Sequence, residues 1–106
     1  MQAIKSTKKQ AVMQILRKRV LETFGSEHIS AMDEIILRES GGNWLAQNRT
    51  STAFGMFQFL DSTWKGYGCT KTINPLEQIE CGIKYVKGRY GTPVNALAFW
   101  ERNHYY

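Results

Sequence analysis

Four apolar residues, Ile29, Met32, Ile35 and Ile36, recur at the three-and-four spacing of a single helix face. That face then meets a carboxylate: Glu39 follows Met32 by seven residues, Ile35 by four and Ile36 by three. Gly41-Gly42 comes directly afterwards, which predicts that the helix stops there. A chain with this order carries an acid at the buried end of a helix, where a wall opens into a loop. Burial and the negative end of the helix dipole both disfavour the ionised form, so the pKa of Glu39 is expected above its ordinary value. A carboxyl of that kind suits general acid chemistry, which makes Glu39 the candidate catalytic residue.

The rest of the chain offers helices around this point. With 106 residues it forms one small domain with a single modest core. Residues 3–24 read as a first helix, with Val12, Leu16, Val20 and Phe24 four apart, Ile15 and Leu21 alongside, and Gly25 as the stop. Its other face carries Lys and Arg. That basic face reads either as a wall- or membrane-seeking surface or as the solvated side of a packing helix, and the second reading is the simpler. His28 falls near the start of the helix at 27–40, in a surface or capping position, and Asp33 and Glu34 suit the dipole of its first turns.

Residues 41–60 form a polar loop that passes into Ala53-Phe54-Gly55-Met56-Phe57-Gln58-Phe59, where Gly55 suggests a bend or a short hairpin. Gln58 is an amide among bulky apolar neighbours, either facing out from a core strand or reaching a ligand in an aromatic-lined cleft. A short helix is expected from Asp61 as N-cap, and a longer one from Asn74-Pro75-Leu76-Glu77. In the latter, Leu76, Ile79, Ile83, Val86 and Tyr90 make the buried stripe, with Gly82 and Tyr85 off it. Gly91-Thr92-Pro93 caps a last helix with Val94, Leu97 and Ala98 inward, before Phe99, Trp100, Tyr105 and Tyr106 crowd the C-terminus. The fold class is mainly α, with at most one short hairpin beside the cleft.

Charge narrows the partners. The net charge is +5 with a pI near 9.4, concentrated early in Lys5, Lys8, Lys9, Arg17, Lys18 and Arg19. This favours acidic partners such as the anionic polymers of a bacterial wall, and it lacks the aromatic interleaving of a nucleic-acid groove. No segment approaches the roughly 20 apolar residues that span a bilayer, and the first 25 residues show no signal peptide. Two cysteines, Cys69 and Cys81, leave a disulfide and two free thiols equally open, and the remote histidines argue against zinc.

Residues 29–106 resemble the soluble lytic transglycosylase domain, related to the goose-type lysozyme fold. The family's helix-ending Glu-Ser is matched by Glu39-Ser40-Gly41-Gly42-Asn43. Its Gly-Leu-Met-Gln, apolar pair and Pro-Ser-Thr are matched by Gly55-Met56-Phe57-Gln58-Phe59-Leu60-Asp61-Ser62-Thr63. Its Asn-Pro-led helix with Gly and Tyr, followed by Ala-Ala-Tyr-Asn, is matched by Asn74-Pro75, Gly82, Tyr85 and then Ala98-Phe99-Trp100-Glu101. Trp100-Glu101 departs from the usual Tyr-Asn, keeping an aromatic wall and losing an amide. Phe57 stands where the family has Met.

The resemblance implies a helical lysozyme-like domain at 26–106; the basic helix of residues 1–25 lies outside the family motifs and is expected to pack on that domain. It implies cleavage of peptidoglycan glycan strands by one Glu, without cofactor or metal. Glu39 protonates the glycosidic oxygen, then takes a proton from the sugar's C6 hydroxyl. By the same carry-over Gln58, Phe59 and the backbone at Met56 hold the N-acetyl sugars. Ser40 orients Glu39 or the lactyl group, and Tyr85 and Trp100 line the cleft. The alternatives are hydrolysis with a second carboxylate, Asp61 or Glu101, and a non-catalytic wall-binding module. The setting is the bacterial cell wall, reached from the periplasm or outside, including as part of a phage or secretion assembly.

Overall fold

The computed structural model describes residues 6–105; the expected helix start at residues 3–5, and Tyr106, lie outside them. Five α-helices are formed among the described residues: α1 Ser6–Phe24, α2 Ile29–Ser40, α3 Asp61–Gly66, α4 Pro75–Arg89 and α5 Pro93–Asn103. A single 3-10 turn, Ser26–His28, leads into α2. His28 occupies the N-cap position without a side-chain cap bond, and its ring packs edge-on against Phe24, 6.2 Å between centroids. His28 is therefore a packing residue.

The caps explain where α4 and α5 begin. Asn74 accepts from the backbone N–H groups of Leu76 and Glu77, and Thr92 accepts from that of Asn95, each with proline directly after it. Glu77 does not close a capping box with Asn74; it accepts from the Thr72 hydroxyl, which in turn accepts from the Asn74 N–H. The expected cap at Asp61 moves back by one residue. Leu60 takes the extended N-cap conformation, Asp61 is the first helical residue, and its carboxylate pairs with Lys71 at 3.0 Å.

The core gathers Val12, Leu16 and Val20 of α1, Met32, Ile35 and Ile36 of α2, and Ile79, Ile83 and Val86 of α4. α2 packs most closely on α5, and α1 on α4. The buried faces of α1, α4 and α5 differ from the expected ones. Ile15 and Leu21 are exposed, so the buried stripe of α1 is Val12, Leu16 and Val20, with Phe24 half-buried at its end. Leu76 is exposed, and α4 instead buries a second row, Gln78, Gly82 and Tyr85. In α5 Val94 and Ala98 face out, while Pro93 and Ala96 are buried and Leu97 is half-buried. A Cβ at Gly82 would collide with the Phe57 ring, which is why glycine occupies that turn of α4.

Between α2 and α3 the chain makes tight turns with two isolated antiparallel bridges, Gln47 to Phe54 and Phe54 to Phe59, so a hairpin ladder is reduced to its crossings. Gly55, at φ 90°, sits where a Cβ would lie 2.8 Å from the Gln78 amide oxygen. Among the described residues Gln78 is the one buried polar side chain of the core: it accepts from the Met56 N–H at 2.8 Å and donates to the carbonyls of Trp44 and Thr72, both at 2.9 Å.

Cys69 and Cys81 form a disulfide with Cα atoms 6.2 Å apart, tying the loop after α3 to α4. Cross-links of about this loop length contribute about 3 kcal/mol through the unfolded chain. Cys81→Ser, or reduction, should lower the chemical-denaturation free energy by about that amount. An unchanged midpoint would show that the bridge adds no stability.

Candidate active site

Glu39 sits in the last turn of α2, where Gly41 adopts the left-handed conformation at φ 62° and its N–H caps the carbonyls of Ile36 and Leu37. The side chain enters a cleft of about 250 Å³ lined by Glu39, Gln58, Phe59, Leu60, Thr63, Tyr85, His104 and Tyr105. Among those residues Glu39 is the one carboxylate. Desolvation raises its pKa, and a hydrogen bond from Trp100 Nε1 to its Oε2, 2.9 Å, opposes the rise. The net direction is upward, as the helix pattern predicts.

Trp100 therefore reaches the site through its polar edge. Arg38 covers one face of the indole at 4.7 Å while bonded to Glu34 at 2.8 Å, and the His104 ring meets the indole edge-on at 5.5 Å. These neighbours hold the donor on Glu39. Trp100→Phe removes a bond to the charged form. The Glu39 titration, followed by carboxyl carbon NMR, should shift to higher pH; a shift to lower pH would contradict this arrangement.

Gln58 stands in the left-handed region at φ 54°, a conformation costly for a residue with a side chain and concentrated at functional sites. Its amide nitrogen donates to the carbonyls of Ala46 and Gly55, both at 2.9 Å. What it can offer a ligand is the amide oxygen. Phe59 and Tyr85 form the adjoining wall, their rings 4.8 Å apart. Burial pushes the Tyr85 phenol up, so it keeps its proton.

Ser40 and Met56 lie behind the cleft surface. The Ser40 hydroxyl donates to the Met56 carbonyl at 2.7 Å and accepts from the Gly42 N–H at 3.2 Å. With the Met56 N–H held by Gln78, both backbone groups of Met56 are engaged within the protein. Ser40, Met56 and Gln78 thus fix the Gln58 turn against the end of α2. The Ser40 hydroxyl is bonded to this loop, and the Met56 carbonyl, with one lone pair taken by Ser40, can still accept from a ligand.

The two acids considered as second carboxylates are elsewhere. Asp61 is exposed and paired with Lys71, and Glu101 is exposed on α5; neither lines the cleft. His104 and Tyr105 do line it, and sequence reasoning did not place them there. They reach it because His104 closes α5 in the left-handed conformation, φ 60°, and turns the chain back. Among the described residues no three His, Cys, Asp or Glu side chains cluster as a metal site, and no helix is long and apolar enough to cross a membrane.

Residues 26–80 match a family model described as a transglycosylase-like domain. That segment carries Glu39, Ser40, Gln58 and Phe59 and ends before Tyr85 and Trp100. No curated protein and no solved structure matches the chain.

Proposed function

Since the chain belongs to the transglycosylase-like domain family, we propose that it is a peptidoglycan lytic transglycosylase using Glu39 as its single acid and base. The bond cut is the β-1,4 link between N-acetylmuramic acid and N-acetylglucosamine. Glu39, protonated, gives its proton to the glycosidic oxygen as the C1–O bond breaks. As a carboxylate it then removes the proton from the muramic C6 hydroxyl, whose oxygen bonds to C1 and closes a 1,6-anhydro ring. The Glu39 proton is restored and no water is consumed.

The observation that supports this reading most is the lone carboxylate in the cleft. Hydrolytic glycosidases generally need two carboxyl groups facing one bond, whereas attack by the sugar's own hydroxyl needs one. The raised pKa of Glu39 suits the first step, and the Trp100 donor suits the second by favouring the carboxylate. Gln58 Oε1, with its amide nitrogen held by Ala46 and Gly55, is suited to accept from an N-acetyl sugar. The disulfide fits an oxidising setting outside the cytoplasm, where the wall is.

Asp61→Asn and Glu101→Gln test the single-carboxylate reading. Both should release soluble wall fragments at a rate within about a factor of two of the native protein, since each acid is on the surface. A loss of more than about tenfold in either variant, with the melting temperature unchanged, would mark that residue as a second catalytic carboxylate.

A further inference from the structure

Among the described residues, Phe59, Tyr85 and Tyr105 are the phenyl and phenol rings that line the Glu39 cleft. Phe59 and Tyr85 are each 3% exposed and pack together with centroids 4.8 Å apart, so they close the wall without presenting a ring face. Trp100, expected beside them, has its Nε1 on Glu39 and one indole face under Arg38, and it does not line the cleft. Tyr105 differs: it lines the cleft and is 58% exposed. Leu60, 44% exposed, is the other large apolar side chain left open there.

Tyr105 is placed from two sides. The His104 N–H donates to the Trp100 carbonyl at 2.6 Å in the left-handed turn that closes α5. The Tyr105 ring meets Phe99 edge-on at 5.4 Å, and Phe99 in turn packs on Tyr90 at 5.3 Å. A positive φ at a residue other than glycine costs free energy, and such strain concentrates at ligand sites.

The β-linked N-acetylated sugars of a wall strand carry their ring substituents equatorially, so each sugar face is a set of axial C–H groups. Those hydrogens are slightly positive and the face of a phenol ring is slightly negative. Stacking the two is favoured by electrostatics and by release of water from both faces.

We propose that Tyr105 is a sugar-stacking platform: its exposed ring receives the C–H face of an N-acetylated sugar at the rim of the Glu39 cleft and sets where the glycan strand lies against Glu39. The inference rests on the glycan-binding part of the function proposed above and does not require that the bond be cut. The ring, and not the phenol hydroxyl, makes the contact.

The test is binding, by calorimetry, of an N-acetylglucosamine tetrasaccharide to Glu39→Gln protein, alone and with Tyr105→Ala or Tyr105→Phe added. Alanine should weaken binding about tenfold, the size of one aromatic stacking contact. Phenylalanine, which keeps the ring, should bind within about a factor of two of the parent. Proton NMR should show sugar C–H resonances moved upfield by the ring in the parent and in Tyr105→Phe, and the shift lost in Tyr105→Ala. Unchanged binding by Tyr105→Ala would overturn the proposal. A loss in Tyr105→Phe equal to that in Tyr105→Ala would overturn it too, because the hydroxyl would then be the contact. If Tyr105→Ala lowers the melting temperature, Tyr105→Leu, which keeps an apolar contact to Phe99 without an aromatic face, carries the same comparison. Wall cleavage by the native protein without tetrasaccharide binding by the parent would overturn this inference and leave the proposed function standing. Ring-dependent binding without cleavage would do the reverse.

Discussion

Glu39→Gln should reduce release of wall fragments by about a thousandfold or more, as expected for loss of the only group that both gives and takes the proton. The substitution keeps the side-chain length, and the amide oxygen still accepts from Trp100 Nε1, so the fold around α2 is retained. It should also raise stability at neutral pH. The sign follows from the direction of the Glu39 shift: its folded pKa lies above the unfolded value, so folding favours the protonated form. The ionised carboxylate then costs stability as pH rises above the unfolded carboxyl pKa, and the penalty stands in full above the folded one. A neutral glutamine lacks that penalty. The expected pattern is an inactive protein that melts at or above the native temperature at pH 7 and loses this advantage in acid. Inactivity with a lowered melting temperature would point to a structural role for Glu39.

The largest effect on stability should come from Gln78→Met, at a residue that does not line the cleft. The side chain is fully buried and bridges three segments through the Met56 N–H and the carbonyls of Trp44 and Thr72. Methionine matches its length and suits a helix, so shape and propensity are little changed. What is lost is three hydrogen bonds, leaving buried backbone groups without partners at about 1–3 kcal/mol each. A total of roughly 3–9 kcal/mol is a large part of the 5–15 kcal/mol that holds a domain of this size together. Denaturant unfolding should show that loss. The same variant should loosen the Gln58 turn, since Met56 is held from one side by Gln78 and from the other by Ser40. A stability change below about 1 kcal/mol would mean that water satisfies these groups.

The helix order and the position of Glu39 were legible because both depend on local rules. Apolar spacing, the Asn74-Pro75 and Thr92-Pro93 caps and the Gly41 stop act within one or two turns of chain. The motif order did the same for Gln58, Phe59 and Tyr85, which the fold does gather beside Glu39. Gln78 was missed because a polar residue one step off an apolar stripe reads as solvent-facing. Its signal was present in its spacing to Gly82 and Tyr85, four and seven residues on, which marks a second buried face of α4.

His104 and Tyr105 had no comparable signal. Their entry into the cleft depends on a left-handed turn at a residue other than glycine, held by the His104 N–H on the Trp100 carbonyl and by the rings of Trp100 and Phe99. The exposed Leu76, Val94 and Ala98 show a different limit. Periodicity finds a stripe, but which edge of that stripe is covered depends on the neighbouring helix. The disulfide likewise follows from the meeting of the loop after α3 with α4, which residue spacing leaves open.

The most direct measurement is the mass of the muramic ends on fragments released from purified peptidoglycan by the native protein, with Glu39→Gln beside it. The account predicts 1,6-anhydro-muramic ends that depend on Glu39. Reducing muramic ends, heavier by one water, would contradict it and require a second group to activate that water.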